Sequence, residues 1–369
     1  MSLPIRPNVL GMTPYVPGKP IEEVKRELGL ERVIKLASNE NPLGPSPKAI
    51  AAVKAAAERM HLYPDGASFE LKSAISRKFG VPAANVFMGN GSDELIHLLS
   101  LILLAPGDEM LMGDPGFARY PAGAHLVEAT VTTIPMDKDM RHDLPAFARA
   151  ATERTKLIFI ANPNNPTGTI VRKAEVDRLL ADLPKSTVVV LDEAYADFTV
   201  GVDDFPNSVP YVLDGRNVVG LRTFSKSHGL AGIRLGYGFA PEALVDAFHR
   251  AREPFNVSSL AQVAGVAALD DDDHLHKTVE NNRRGIERLA GAFRAAGCTP
   301  FESYANFVFA DLGRPARPVF QALLQRGVIT RPGDLLGLPT ALRVTVGTPE
   351  EIDIFVQEFN AVMAPAGAR

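Results

Sequence analysis

Lys156-Leu-Ile-Phe-Ile-Ala161 runs directly into Asn162-Pro-Asn-Asn-Pro-Thr-Gly168. The first half is apolar throughout and of strand length. Without polar alternation it suits a strand covered on both faces, as in a parallel sheet. The second half is a stiff loop, because its prolines restrict φ and its asparagines favour turns. By itself the loop reads as a tight connection between strand and helix. Working outward, the same grammar recurs. Thr187 to Leu191 is rich in β-branched residues and ends in Asp192-Glu-Ala-Tyr195. Val218 to Leu221 is another apolar run, and Tyr237 to Phe239 follows soon after. Upstream, Val86 to Gly91 leads into a helix over Asp93 to Leu104, with a short strand from Glu109 to Met112. Strands alternating with helices predict an α/β fold with a mostly parallel sheet.

The chain ends read differently. Residues 14–18 are turn-rich. A long helical region spans Ser259 to Ala296. Strands at Phe307 to Ala310 and Leu342 to Val346 follow, with helices over Arg317 to Arg326 and Glu350 to Met363. The expected organisation is a large α/β domain over 40–254. A small α+β domain is built from both ends, 1–39 and 255–369.

Composition narrows the function classes. Hydrophobic residues make up 46% and charged residues 22% of the 369, values that argue against disorder. A formal charge of −4, with no basic stripe, gives no reason to expect nucleic acid. Cys298 is the only cysteine, so no intramolecular disulfide can form; a free thiol suits a reducing cytoplasm. Leu95 to Pro106 is the most apolar stretch and is too short to span a membrane. The segment from Met1 to Val9 lacks the apolar core of a secretory signal. A cytoplasmic protein is expected, with no membrane partner. His274 and His276 beside Asp270 to Asp273 read as a solvated acidic turn, and no metal site is expected.

Ligands of open α/β sheets bind beyond the carboxyl ends of the strands, where the polar motifs fall. Gly89-Asn-Gly-Ser-Asp-Glu94 opens a helix, whose free N–H groups and dipole suit an anion; Ser92 or Asp93 could equally just cap it. Asp192 ends a buried strand and needs a partner, because an isolated buried carboxylate is costly. A protonated pyridine nitrogen is one such partner; an arginine or a helix N-terminus is another. Lys226 stands between Ser225 and Ser227 in a Gly-rich segment, with Arg234 eight residues on. Such a lysine suits Schiff-base chemistry if its surroundings disfavour the charged form. The two serines and Arg234 could hold a dianionic phosphate.

Taken together and in order, these segments resemble the histidinol-phosphate aminotransferase family of pyridoxal-phosphate enzymes, which has the aspartate-aminotransferase-type fold. Further matching text is Lys35-Leu-Ala-Ser-Asn-Glu-Asn-Pro-Leu-Gly-Pro-Ser-Pro47, Tyr63-Pro-Asp65 and Leu342-Arg-Val-Thr-Val-Gly-Thr-Pro349. The resemblance implies that Lys226 is the Schiff-base lysine and proton shuttle. Asp192 would pair with the pyridinium nitrogen. Asn165 and Tyr195 would bond the ring hydroxyl. Gly91, Ser92, Asp93, Ser225, Ser227 and Arg234 would surround the cofactor phosphate. Phe117 would stack on the ring; many relatives have tyrosine there, so any hydroxyl role is missing. Tyr63 would reach the phosphate from a second subunit of a homodimer. Arg343 would grip the carboxylate of glutamate, with Asn39, Tyr15 and Arg331 as further substrate contacts. His228 reads as a tuning or a packing residue. The implied reaction passes the amino group of L-histidinol phosphate to 2-oxoglutarate, a step of histidine biosynthesis. The rivals are an aromatic amino acid aminotransferase and a threonine-phosphate decarboxylase-like lyase on the same scaffold.

Overall fold

The structure, a computed structural model, describes residues 3–14 and 18–364. Its strands, in chain order, are β1 (Ile34–Lys35), β2 (Val86–Asn90), β3 (Glu109–Asp114), β4 (Thr130–Pro135), β5 (Thr155–Ala161), β6 (Val188–Asp192), β7 (Val218–Thr223) and β8 (Leu235–Phe239). β9 (Thr299–Pro300), β10 (Phe307–Asp311), β11 (Val328–Ile329), β12 (Arg331–Pro332) and β13 (Ala341–Thr345) follow. β2 to β8 form a seven-stranded sheet in the order β2-β8-β7-β6-β5-β3-β4. Only β8 runs against its neighbours; the other pairings are parallel. The central strands β5, β6 and β7 are buried almost throughout, as their unbroken Val/Ile/Leu composition predicts. β4 is not among the strands expected from sequence. It is an edge strand whose threonines and exposed positions carry little apolar signal.

Helices cover both faces of this sheet. Leu95, Ile96 and Leu99 of helix Gly91–Leu103 pack with Tyr120 and Phe248 in one core; Phe147, Val176 and Leu179 pack against Leu111, Ile158 and Val189 in another. A separate core joins Ile34 and Leu36 to Leu289, Phe293, Val308, Leu342 and Phe355. Residues from near both chain ends thus share this core, the smaller unit. The helical region expected over 259–296 is two helices, Ser259–Leu269 and Asp272–Ala295; Asp271 caps the second by accepting the His274 N–H. The first carries Ala261, Ala264 and Ala268 into the core with Leu71, Val86 and Phe239. It thus belongs with the large sheet, whereas the expected small domain takes in all of 255–369. Its small residues give no sign of which sheet they will meet. No helix among the described residues is long and apolar enough to cross a membrane.

Candidate functional site

β3, β5, β6 and β7 all end at one edge of the sheet, and helix Gly91–Leu103 begins there after β2. Their terminal side chains converge on a cavity of about 310 Å³. Lys226, Asp192, Tyr195, Asn165, Phe117, Ser92, Asp93, Ser225 and Arg234 line it, and Asn39, Arg331 and Arg343 enter from the smaller unit.

Asp192 is the floor. It ends β6 beside Ala161, and its backbone carbonyl accepts the Asn162 N–H at 2.9 Å. The carboxylate accepts the Tyr120 hydroxyl at 2.8 Å and the Ala194 N–H at 3.1 Å. Burial pushes the carboxyl up to about 6, against the lowering effect of those two donors. Among the described residues no cation pairs with it. A buried acid so arranged suits a cationic partner arriving through the cavity. Tyr120 is stacked on Phe159 with ring centroids 4.4 Å apart, and Phe117 meets Tyr120 edge-on.

The loop after β5 divides its asparagines. Asn162 closes the loop on itself, accepting from the Val171 N–H and donating to the Val171 carbonyl. Asn164 donates to the Pro115 carbonyl and to Thr167. Asn165 alone of the three faces the cavity, where its Oδ1 accepts from Arg343 Nη1 at 2.5 Å. Arg343 is buried, bonds the Ala37 carbonyl at 2.8 Å and lies over the Phe307 ring. Arg331 is its register partner on β12.

The start of helix Gly91–Leu103 and Arg234 form another part of the lining. At that helix start the Asn90 side chain makes no cap bond. Glu94 accepts the Asn90 N–H at 2.5 Å and the Arg234 carbonyl accepts the Gly91 N–H at 3.0 Å, so the Ser92 and Asp93 N–H groups are the ones left at the helix start. Gly91 has φ +74°, and a Cβ there would collide with Arg234 Nη2. Arg234, itself at φ +58°, donates to Asp93 at 3.3 Å. A Cβ on Gly236 would collide with the Ser92 nitrogen, so glycine in β8 lets the helix start close to the sheet. Lys226 is half-buried, its Nζ 5.7 Å from the centre of the Tyr195 ring.

One expected cavity residue is placed otherwise. Ser227 turns away from the cavity: its hydroxyl donates to Asp197, and its carbonyl accepts from Asn41. Asp197 with Glu193 neutralises Arg222, an ion cluster beneath the Lys226 segment that the sequence reading did not identify. Ser225 and Ser227 flank the lysine symmetrically in sequence, and only that cluster distinguishes them. His228 is buried against Phe224, and burial holds its basicity below the ordinary value. Asn39 lines the cavity, but its amide is engaged by Tyr195 and Thr345. Tyr63 is 83% exposed and stacked on Phe255, with Met60, Leu62 and Phe69 also exposed nearby in sequence. Cys298 is buried in the smaller unit's core. Tyr15 lies outside the described residues. Tyr120 and Thr345 were missed as site residues because nothing local in sequence marks a contact 72 or 306 residues away.

A planar nitrogen heterocycle with a phosphate fits this donor set. There is a buried acid for the ring nitrogen, an amine beside it, an aromatic face, and an arginine with an uncapped helix start for the phosphate.

A family model described as aminotransferase class I and II matches residues 31–359. The chain is 49% identical to the histidinol-phosphate aminotransferase of Moorella thermoacetica, covering 97% of this chain and 93% of that one. It is 47% identical to that of Akkermansia muciniphila, covering 93% and 94%. Among solved structures, it is similar to histidinol-phosphate aminotransferase from Sinorhizobium meliloti in complex with pyridoxal-5'-phosphate. The TM-score is 0.91 at 28% identity, over 98% of both chains. Aspartate aminotransferase from Thermus thermophilus with maleate has the same fold, with a TM-score of 0.83 at 21% identity over 98% of this chain and 100% of that one.

Proposed function

The chain belongs to the aminotransferase class I and II family, and we propose that with pyridoxal 5'-phosphate it moves the amino group of L-histidinol phosphate to 2-oxoglutarate. The products are imidazole acetol phosphate and glutamate. The observation that carries the cofactor assignment is the pairing, in one cavity, of Lys226 with a buried Asp192 that lacks a cation among the described residues. The donor assignment rests on relatives of nearly full length and that name.

When bound, the cofactor supplies an electron sink for the substrate's breaking C–H bond. The chain's residues supply the rest. Lys226 Nζ would hold the cofactor's carbonyl carbon between turnovers. The same amine, when free, would serve as the base and acid that moves the proton of the substrate carbon. Asp192 would keep the ring nitrogen protonated, oriented by the Tyr120 hydroxyl. Asn165 and Tyr195 would bond the ring hydroxyl, and Phe117 would cover the ring face. The N–H groups of Ser92 and Asp93, with Ser225 and Arg234, would hold the phosphate, Asp93 keeping the arginine in place. The Gly91 N–H donates to the Arg234 carbonyl at 3.0 Å, so Gly91 would serve by leaving room for the guanidinium rather than by its own N–H. Arg343 would take the carboxylate of 2-oxoglutarate. Arg331 beside it adds a second guanidinium, which favours a donor that itself carries a phosphate. Tyr63, exposed on an apolar stretch, would complete the phosphate site of a second copy in a homodimer. The single buried thiol suits a cytoplasmic enzyme.

The test is a half-reaction. The cofactor-loaded protein is mixed with histidinol phosphate or, separately, with phenylalanine, and the visible absorbance is followed. Rapid bleaching by histidinol phosphate alone, with glutamate formed once 2-oxoglutarate is added, is the expected result. Faster bleaching by phenylalanine overturns the donor, and carbon dioxide release from threonine phosphate, offered in a third mixture without 2-oxoglutarate, overturns the reaction class. Lys226→Ala should neither turn over nor form the visible band.

A further inference from the structure

The Tyr195 hydroxyl oxygen accepts a 2.9 Å hydrogen bond from Nδ2 of Asn39. An oxygen that accepts there keeps its own proton for another acceptor, and the cavity lies beside it. Asn39 could face Tyr195 with either end of its amide, since the two ends have nearly the same shape and opposite hydrogen-bonding character. Thr345 decides between them. Its Oγ1 accepts the backbone N–H of Asn39 at 3.0 Å and donates to Asn39 Oδ1 at 2.9 Å. With Oδ1 held by a donor, Nδ2 turns to Tyr195. The Asn39 carbonyl accepts from Asn306 at 3.0 Å, and its backbone sits at φ +55°, so the residue is clamped from several sides. Asn39 and Thr345 are both buried, which shields the chain of bonds from water. Thr345 lies two residues beyond Arg343 on β13, so both side chains leave the same face of the strand.

We propose that Thr345 is a positioning residue: acting through Asn39, it sets the direction of the Tyr195 hydroxyl so that its proton points into the cavity. The inference rests on the pyridoxal phosphate reading above, because the acceptor it serves is the cofactor's ring oxygen. The order of donation is Thr345 to Asn39, Asn39 to Tyr195, Tyr195 to the cavity. Without the Thr345 hydroxyl, the Asn39 amide is free to turn over. Its Oδ1 then accepts the Tyr195 proton, and the cavity loses a donor. A ring oxygen without that donor holds the proton on the neighbouring Lys226 nitrogen more strongly, so this proton is lost at higher pH.

The experiment titrates the visible absorbance of the cofactor-loaded protein against pH. A wild-type protein with no such band overturns the cofactor reading, and the inference with it. If wild type titrates, Thr345→Val, which keeps the shape and removes the hydroxyl, should raise the midpoint by about one unit, the order expected for a hydrogen bond to a charged oxygen. Thr345→Ser should restore the wild-type midpoint. In a Tyr195→Phe background, Thr345→Val should move it no further, because the group it steers is gone. A folded Thr345→Val protein with the wild-type midpoint overturns the proposal, as does an equal shift in the Tyr195→Phe background. If Thr345→Val does not fold, Thr345→Ala takes its place with the same two readings.

Discussion

Replacing Asp192 by asparagine should make the cofactor-free protein more stable while abolishing most of its activity. Burial raises the Asp192 carboxyl from an ordinary 3.8 to about 6. The native state therefore holds the proton more tightly than the unfolded chain. Stability from this group is fully present below pH 3.8 and is lost as pH rises through 6. At pH 8 the ionised carboxylate costs about 3 kcal/mol, from about two units at 1.36 kcal/mol each. At pH 5 the same linkage gives about half that. Asparagine is never ionised. It can still accept the Ala194 N–H at Oδ1, and its amide can donate to the Tyr120 oxygen in place of the bond the carboxylate receives now. The assay is urea unfolding of both apoproteins at pH 5 and pH 8. Asp192→Asn should be the more stable by about 3 kcal/mol at pH 8, with the gap falling by roughly half at pH 5. Addition of pyridoxal phosphate should reverse the ranking, because only the wild type offers a charge to the ring nitrogen. An Asp192→Asn apoprotein no more stable than wild type at pH 8, or a gap independent of pH, would refute the view that this carboxylate is held ready for a cation.

Other expectations follow from the same geometry. Gly91→Ala places a Cβ at φ +74° against Arg234 Nη2, so the arginine must shift; cofactor affinity measured by titration should fall by about tenfold or more, and an unchanged affinity would remove Arg234 from the phosphate site. Arg343→Lys keeps the charge but cannot bond both Asn165 and Ala37 as the fork does; the KM for 2-oxoglutarate should rise by about tenfold to a hundredfold, with a smaller effect on cofactor binding. Burial lowers His142 to about 4, so the unfolded chain takes up a proton that the native state refuses, and stability falls as pH drops from 6.5 to 4 by about 3 kcal/mol. The difference in unfolding free energy between wild type and His142→Gln should follow that window. A difference that does not change between pH 7 and 5 would show that the ring is solvated.

The sequence alone determined the alternation of the buried central strands with helices, and with it the α/β class and the residues at those strand ends; the edge strand β4 and the break between helices Ser259–Leu269 and Asp272–Ala295 lay beyond it. Apolar runs, turn residues and helix starts are local features, and Lys226, Asp192 and Asn165 sit directly after the runs that bury the sheet. Tertiary structure decided which neighbours of those residues face the cavity. Ser225 lines it and Ser227 does not, because Asp197 captures the second hydroxyl. Asn165 faces it, while Asn162 and Asn164 tie the loop together. Helix Ser259–Leu269 joins the large sheet because its small residues fit against Leu71 and Leu235, a match of shapes that no periodicity encodes. Tyr120 beneath Asp192 and Thr345 behind Asn39 are contacts between segments far apart in the chain. A hydrogen bond needs its two atoms within about 3 Å in a suitable direction, and that coincidence exists only after the chain has packed.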